Sequence, residues 1–509
     1  MAKSDFKFKE VRVRFAPSPT GPFHIGNARA ALFNYLFAKK EKGKFILRIE
    51  DTDLARSDPK FEKDIIDSLK WLGIEWDEFH RQSERIETYA KYLEKLLKDG
   101  LAYRCFCSEE ELEAKRQERM SRGLPPVYNG KCQELTKEEL KQNLAKGKPS
   151  IIRFKIPTKK IIFPDLIRGE IIFDSSLIGD FSIAKDLATP LYNFAVVIDD
   201  FEMEISHVIR GEDHISNTPK QILLQEALNF PQPKYAHLPL ILGPDRSKLS
   251  KRHGAVAIAD YRKDGYLPEA IVNFMAFLGW NPGTEKEIFS LKDLAEAFSL
   301  PRVQKGGAVF NLQRLDYLNG VYIRQCSLEK LTELCLPYFI EEGFIEPIFE
   351  TKERVPDLTG YFGKEIVQEY VIKNTKEKID FDYLQKTVLI YQERLNKLSG
   401  IKELTDFFFE DVLEYDKELL RWKNMTDGEV KETLDKLDKI LCDIGEGEWT
   451  KDNLEKVLMP AAGGDKGRLL WPLRAALTGK KASAGPFEIA AILGKEKTLK
   501  RIKDAKTKF

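Results

Sequence analysis

The chain has 509 residues, so at about 150 residues per domain it should hold three or four domains and cannot be one small module. Lys plus Arg number 82 and Asp plus Glu 81, a formal net charge of +1, which excludes a uniformly basic nucleic-acid coat and leaves room only for a local basic face. Apolar residues at 42% and aromatics at 11% exclude a disordered chain, and six cysteines are too sparse for a disulfide scaffold.

There is no run of about 18 apolar residues, and the opening MAKSDFKFKE lacks the apolar core of a signal peptide. A cytoplasmic protein with no membrane partner is expected. In chain order, Val11-Arg12-Val13-Arg14-Phe15 alternates as a strand does. In the next stretch, Ala16 to Pro22, three prolines and a glycine forbid a helix. Ala28, Ala31, Leu32, Tyr35 and Leu36 then recur at helical spacing up to a stop at Gly43, and Phe45 to Ile49 reads as a second strand, parallel to the first in a βαβ unit. Asp58 and Pro59 open another helix, with Phe61, Ile65, Leu69 and Leu72 on one face and an end at Gly73. From 91 to 189 a charged helix, a cysteine cluster and short β runs (Ile151 to Ile156, Ile161 to Phe163) read as an inserted domain. Strand character at Phe194 to Ile198 and Ile205 to Arg210 marks the return of the sheet. Beyond about 330 the patterns are helical, with no sustained alternation. Lys480 to Phe509 carries nine Lys or Arg against three acids, either a solvated face or an RNA contact.

Two segments carry chemistry. His24-Ile25-Gly26-Asn27 follows the proline-rich loop and opens a helix, whose free amides attract phosphate. Gly26 lets a nucleotide approach the backbone, and the His24 imidazole can donate to a phosphate oxygen. Far downstream, Lys248-Leu249-Ser250-Lys251-Arg252 sits between Gly243 and Gly254, a cationic loop suited to gripping phosphates. Each segment alone could be ordinary, a helix cap and a solvated loop. The pair in one chain is harder to explain by chance.

The first segment resembles the HIGH motif and the second the KMSKS motif of class I aminoacyl-tRNA synthetases. Arg14 to Gly21, Arg48-Ile49-Glu50-Asp51-Thr52-Asp53, Tyr192-Asn193-Phe194-Ala195 and Ile209-Arg210-Gly211-Glu212-Asp213 are similar to the bacterial-type glutamyl-tRNA synthetases. Asn27 and Arg252 depart from the motif names as the glutamyl branch usually does. The resemblance runs from about 11 to 320 and returns near Trp471 to Gly479 and Pro486 to Gly494. It implies an α/β fold: a Rossmann-like catalytic domain in two halves (1–90 and 190–247), an inserted α+β acceptor-binding domain (91–189), the KMSKS loop with a stem-contact domain (248–330), and an α-helical anticodon-binding domain (331–509).

The implied activity is two-step attachment of L-glutamate to tRNA-Glu, with tRNA-Gln as a further substrate left open, using ATP with Mg2+ and acting as a monomer. His24 and Lys251 are implied to be catalytic through charge stabilisation. Ser18, Thr20, Gly26, Asp213, His214 and Lys248 are implied around ATP. Arg14, Tyr192, Asn193 and Arg210 would surround the glutamate side chain, and Glu50 and Ser18 its amino group. Relatives that bind Zn2+ use a Cys-x-Cys pair and a distant Cys, here Cys105, Cys107 and Cys132, completed by a tyrosine such as Tyr128 or by a histidine. Glu134 stands where some relatives place that histidine, so the fourth ligand stays open. A small nucleotidyltransferase would not need the helical third, and a non-catalytic RNA-binding paralogue would be expected to lack His24 or Lys251, both of which are present. Glutaminyl-tRNA synthetases are disfavoured by Arg210, and the truncated glutamyl-queuosine relatives by the whole C-terminal region.

Overall fold

A computed structural model describes residues 8–53, 55–250, 252, 256–348 and 369–509. Ten strands organise the first part of the chain: Arg12–Phe15 (β1), Lys44–Ile49 (β2), Glu78–Arg81 (β3), Ala102–Cys105 (β4), Ile151–Phe154 (β5), Lys160–Asp165 (β6), Gly169–Asp174 (β7), Phe181–Ala184 (β8), His207–Gly211 (β9) and Lys234–Leu238 (β10). Seven of them form one sheet in the order β3-β2-β1-β9-β10-β6-β7, parallel except for the β6–β7 hairpin. Between β1 and β9 the order reverses direction, since β2 and β3 extend the sheet to one side and β9 and β10 to the other. Ligands of open α/β sheets bind outside the carboxyl ends of the strands at such a switch point.

The helices are Ile25–Lys40 (α1), Pro59–Trp71 (α2), Ile86–Lys98 (α3), Glu109–Ser121 (α4), Lys137–Ala145 (α5), Tyr192–Glu202 (α6) and Thr218–Leu228 (α7). The first βαβ unit matches its expectation, with β2 parallel to β1 in the register Val13↔Phe45. Asp58 caps α2 by accepting the Lys60 N–H at 2.9 Å, and Gly73 closes that turn at φ +72°. Strands alternate faces. The register Arg14↔Ile46, Arg210↔His237 and Tyr235↔Asp165 therefore puts Arg14, Arg48, Arg210, His237 and Asp165 on one face of the sheet. α6 and α7 cover that face, as the bonds from Arg14 to Asp200 and from Arg210 to Gln221 show.

Three expectations are corrected. Phe194 to Ile198 lies within α6 and is no strand: a helix buried on every side has the same unbroken apolar run as a buried strand. β6 and β7, read as part of the inserted domain, belong to the main sheet, because Asp165 pairs with Tyr235 on β10. What remains distinct in the insert is the antiparallel sheet β4-β5-β8 with α4 and α5. The C-terminal region, expected to be helical, also holds the antiparallel strands Ile345–Pro347, Glu369–Ile372 and Lys378–Asp380. Strands of three or four residues are too short to show period-two alternation.

By internal packing the chain divides into Met1–Arg262 with Pro268–Leu315, and Lys263–Leu267 with Asp316–Phe509. In the second unit the basic C-terminal stretch forms the helical segment Pro486–Lys506, broken by a kink at Gly494. Its Lys497, Lys500 and Lys506 pair with Glu377, Asp411 and Asp435, and buried Arg501 donates to backbone carbonyls. The unit's own acids and carbonyls thus take up much of that charge. Among the described residues no helix is long and apolar enough to cross a membrane.

Candidate active site

At the switch point lies a cavity of about 1220 Å³, lined by Arg14 to Ser18, Thr20 to Pro22, His24 to Asn27, Glu50, Tyr192, Arg210, Asp213, His214 and Lys248 to Ser250, among others. That volume exceeds a single drug-sized pocket and has room for a nucleotide beside an amino acid. The loop after β1 is tied down on both sides. Glu50 N–H donates to Pro17 O at 2.9 Å, Asp58 N–H to Pro19 O at 3.0 Å, and Phe23 N–H to Asp64 Oδ2 at 2.8 Å.

His24 caps α1. Its extended backbone places Nδ1 where it accepts the Asn27 N–H at 3.3 Å, so in the neutral ring Nε2 carries the proton as a donor. A Cβ on Gly26 would lie 3.0 Å from that Nδ1, so this position leaves little space for a side chain. Burial, then the Lys248 ammonium, lowers the His24 pKa against the opposing pull of Asp213, and the imidazole is neutral near pH 7. The chain just after the second motif lies against the first: Ile25 N–H donates to Val256 O and Ile258 N–H to Phe23 O, both at 2.9 Å. Lys248, Leu249 and Ser250 line the cavity. Lys251, His253 and Gly254 lie outside the described residues. Arg252 turns to Asp245 at 3.2 Å and is not among the lining residues.

Beneath the cavity runs a buried ionic network. Arg14 Nε and Nη2 donate to the Asp200 carboxylate at 3.1 and 3.4 Å. Arg48, fully buried, donates to Asp200 at 2.8 Å and to Glu50 at 3.0 Å. Asp199 is satisfied by Arg85 at 2.7 Å, Gln82 at 2.8 Å and the Tyr89 hydroxyl at 2.8 Å. Three guanidinium groups, of Arg14, Arg48 and Arg85, thus face three carboxylates. Burial alone would depress Arg48, but Asp200, Glu50 and Asp199 outweigh it and raise its pKa. Burial lifts Glu50 despite Arg48 and Arg14, and Asp200 stays low because the same two arginines overcome its burial.

Arg210 is held differently. It is 7% exposed, and its partners are neutral: Thr218 Oγ1 and Gln221 Oε1, each 2.8 Å from Nη2, and His237 Nε2, 3.3 Å from Nε. Its Nη1 is buried without a hydrogen-bond partner among the described residues. A buried cation with an orphaned donor at a cavity wall is matched to an anion. Tyr192 OH lies 2.9 Å from His214 Nδ1, and burial, then Arg210, lowers the His214 pKa to about 4. Asn193, expected beside the substrate, accepts from Gln221 at 3.1 Å and does not line the cavity. Sequence reasoning missed Asp200, Asp165 and His237. Asp200 lies two residues beyond the run misread as strand, in the same helix α6, and the other two sit in short β runs without a motif.

In the insert, Cys105, Cys107 and Cys132 bring their Sγ atoms within 4.8 Å of one another. Tyr128 OH is 3.4 Å from Cys105 Sγ and 3.5 Å from Cys107 Sγ, and the Arg153 guanidinium lies 4.3 Å from the Tyr128 ring centroid. Burial works against the Cys105 thiolate, yet Tyr128 and Arg153 bring its pKa below that of a free thiol. Glu134 is exposed and outside the cluster. Three thiols and a phenol form a donor set that suits zinc.

Known proteins resemble this chain over nearly its whole length. A family model described as tRNA synthetases class I (E and Q), catalytic domain, matches residues 10–317, and one described as anticodon binding domain matches 330–506. The chain is 46% identical over 504 residues to the glutamate–tRNA ligase of Carboxydothermus hydrogenoformans, covering 97% of this chain and 99% of the relative. To that of Aquifex aeolicus it is 44% identical, covering 97% and 98%. A crystal structure of a glutamate tRNA ligase from Elizabethkingia meningosepticum, in complex with its amino acid, superposes with a TM-score of 0.82 at 32% identity, covering 98% of this chain and 99% of that one.

Proposed function

We propose that this chain, which belongs to the class I tRNA synthetases of the glutamate and glutamine type, attaches L-glutamate to tRNA using ATP. The observation that carries the amino-acid assignment is the buried Arg210 guanidinium, which among the described residues hydrogen-bonds only to neutral groups and keeps an unbonded Nη1, in the cavity shared with the nucleotide motifs.

In the first step an α-carboxylate oxygen of glutamate attacks the α-phosphorus of ATP, forming glutamyl-adenylate as pyrophosphate leaves. In the second, a hydroxyl of the terminal tRNA ribose attacks the acyl carbon and AMP leaves. No enzyme nucleophile is needed, so the protein's work is positioning and charge stabilisation. We assign His24 Nε2–H as a donor to the phosphate oxygens, together with the amides at the start of α1 and the Lys248 ammonium. Thr20, Gly26, Asp213 and His214 border the nucleotide. The resemblance adds Lys251 as the second catalytic cation. Mg2+ enters with ATP and neutralises phosphate charge.

For the amino acid, Arg210 takes the side-chain carboxylate, with Tyr192 and Arg14 beside it. Arg14 contributes less than the sequence implied, because Asp200 occupies two of its donors. Glu50 and Ser18 face the ammonium group. We assign zinc to Cys105, Cys107, Cys132 and Tyr128. When bound it supplies a structural crosslink between β4 and the chain around Cys132, with no part in the reaction. The RNA substrate we assign is tRNA-Glu, charged by a monomer in the cytoplasm. The test is attachment of labelled glutamate to tRNA-Glu and tRNA-Gln transcripts in the presence of ATP. Charging of tRNA-Glu is expected, charging of both would widen the RNA assignment, and charging of neither would refute the proposal.

A further inference from the structure

We propose that Asp165 and His237 form a positioning relay that fixes the Arg210 guanidinium for the glutamate side chain without cancelling its charge. This rests on the assignment of Arg210 to that carboxylate. Asp165, at the end of β6, and His237, on β10, have side chains with no exposure. Asp165 Oδ1 accepts the backbone N–H groups of Ile167 at 2.9 Å and Arg168 at 2.8 Å, while Oδ2 lies 2.6 Å from His237 Nδ1. Asp165 is held ionised: burial works against its charge, but His237 and the amides outweigh it.

An ionised carboxylate only accepts, so His237 Nδ1 carries the ring proton and Nε2 is left as an acceptor. That Nε2 is 3.3 Å from Arg210 Nε and 3.1 Å from Thr218 Oγ1. The register His237↔Arg210 on adjacent parallel strands keeps the two side chains level. Held at Nε and Nη2, the guanidinium can present Nη1 to a ligand. The contrast with Arg14 states the logic. A carboxylate bonded directly to Arg14 quenches its charge, whereas on the other side of the site an imidazole separates the carboxylate from the arginine. Asp165 thereby dictates which His237 tautomer Arg210 meets.

His237→Leu should raise the glutamate KM about tenfold or more, the loss expected for one hydrogen bond to a charged group, with the ATP KM little changed. His237→Gln, which can keep an acceptor there, should recover most of that loss. Asp165→Asn can let the ring carry its proton on Nε2 and should raise the glutamate KM in the same direction. In a His237→Gln background, with no tautomer to flip, the Asp165→Asn change should have little further effect. Arg210→Gln serves as the control. If it leaves glutamate selectivity unchanged, the reading of Arg210 fails whatever the relay does. If it abolishes selectivity while folded His237→Leu and Asp165→Asn proteins keep glutamate KM within twofold of wild type, the relay is overturned. A measurement on the unaltered chain does not depend on the activity of any variant: nitrogen-15 histidine NMR, assigned by the signal lost in His237→Gln, should show His237 neutral and protonated at Nδ1. A proton on Nε2 alone, or an imidazolium near pH 7, would overturn the proposal.

Discussion

Arg48 is not among the residues that line the cavity, yet it bonds both to Glu50, which lines it, and to Asp200 beneath it. Removing one partner of a buried ionic cluster leaves the others charged and unpaired, at a cost of about 3 to 5 kcal/mol. Arg48→Met should therefore lower the unfolding free energy by about that much in chemical denaturation; a loss under about 1 kcal/mol would mean that the network relaxes or admits water. At this scale the sequence was informative where a motif surrounds the residue. Arg14, Glu50, Tyr192 and Arg210 all line the cavity as expected. It was silent on Asp200 and His237, because partners 186 and 27 residues distant from Arg14 and Arg210 become visible only once the sheet is assembled.

Elements with local signals were legible. The proline loop, the capped starts of α1 and α2 and the β1–β2 pairing follow from short-range chemistry. α6 and the β6–β7 hairpin were not, since burial on all sides erases periodicity and membership of a sheet depends on a distant partner. The strand β4 and the turn at Lys131–Glu134 bring the cysteines together, so a metal there should hold that part of the insert. Elemental analysis of protein purified without chelator should find about one zinc per chain, and Cys105→Ser should lose it along with thermal stability of the insert. No zinc in the unaltered protein, under conditions that load a control zinc protein, would refute the assignment.

At the scale of the whole molecule, histidines whose protonated form is disfavoured in the fold make stability depend on pH. Burial lowers His207, beside Phe37, to about 4; His214 is also lowered to about 4, and His24 and His237 are lowered. In the unfolded chain these rings bind protons below about pH 6.5, while in the folded chain His207 and His214 resist until near pH 4, so the unfolded state holds more protons across that window. Stability should thus be fully present above about pH 6.5 and fall as the pH drops toward 4, with His207 alone worth about 3 kcal/mol at the acid end. Denaturation from pH 7 to 4.5 should show that slope, and His207→Gln should flatten it by up to one proton; an unchanged slope would contradict the buried, neutral ring. The central claim, that the cavity selects glutamate through a cation whose hydrogen-bond partners among the described residues are all neutral, is tested most directly by one ratio. This is the specificity constant for glutamate over that for glutamine, measured with tRNA-Glu in wild type and in Arg210→Gln. Arg210→Gln should reduce glutamate activation at least about a hundredfold and glutamine activation much less, collapsing the ratio; a ratio that stays the same would make Arg210 a structural arginine and contradict the account.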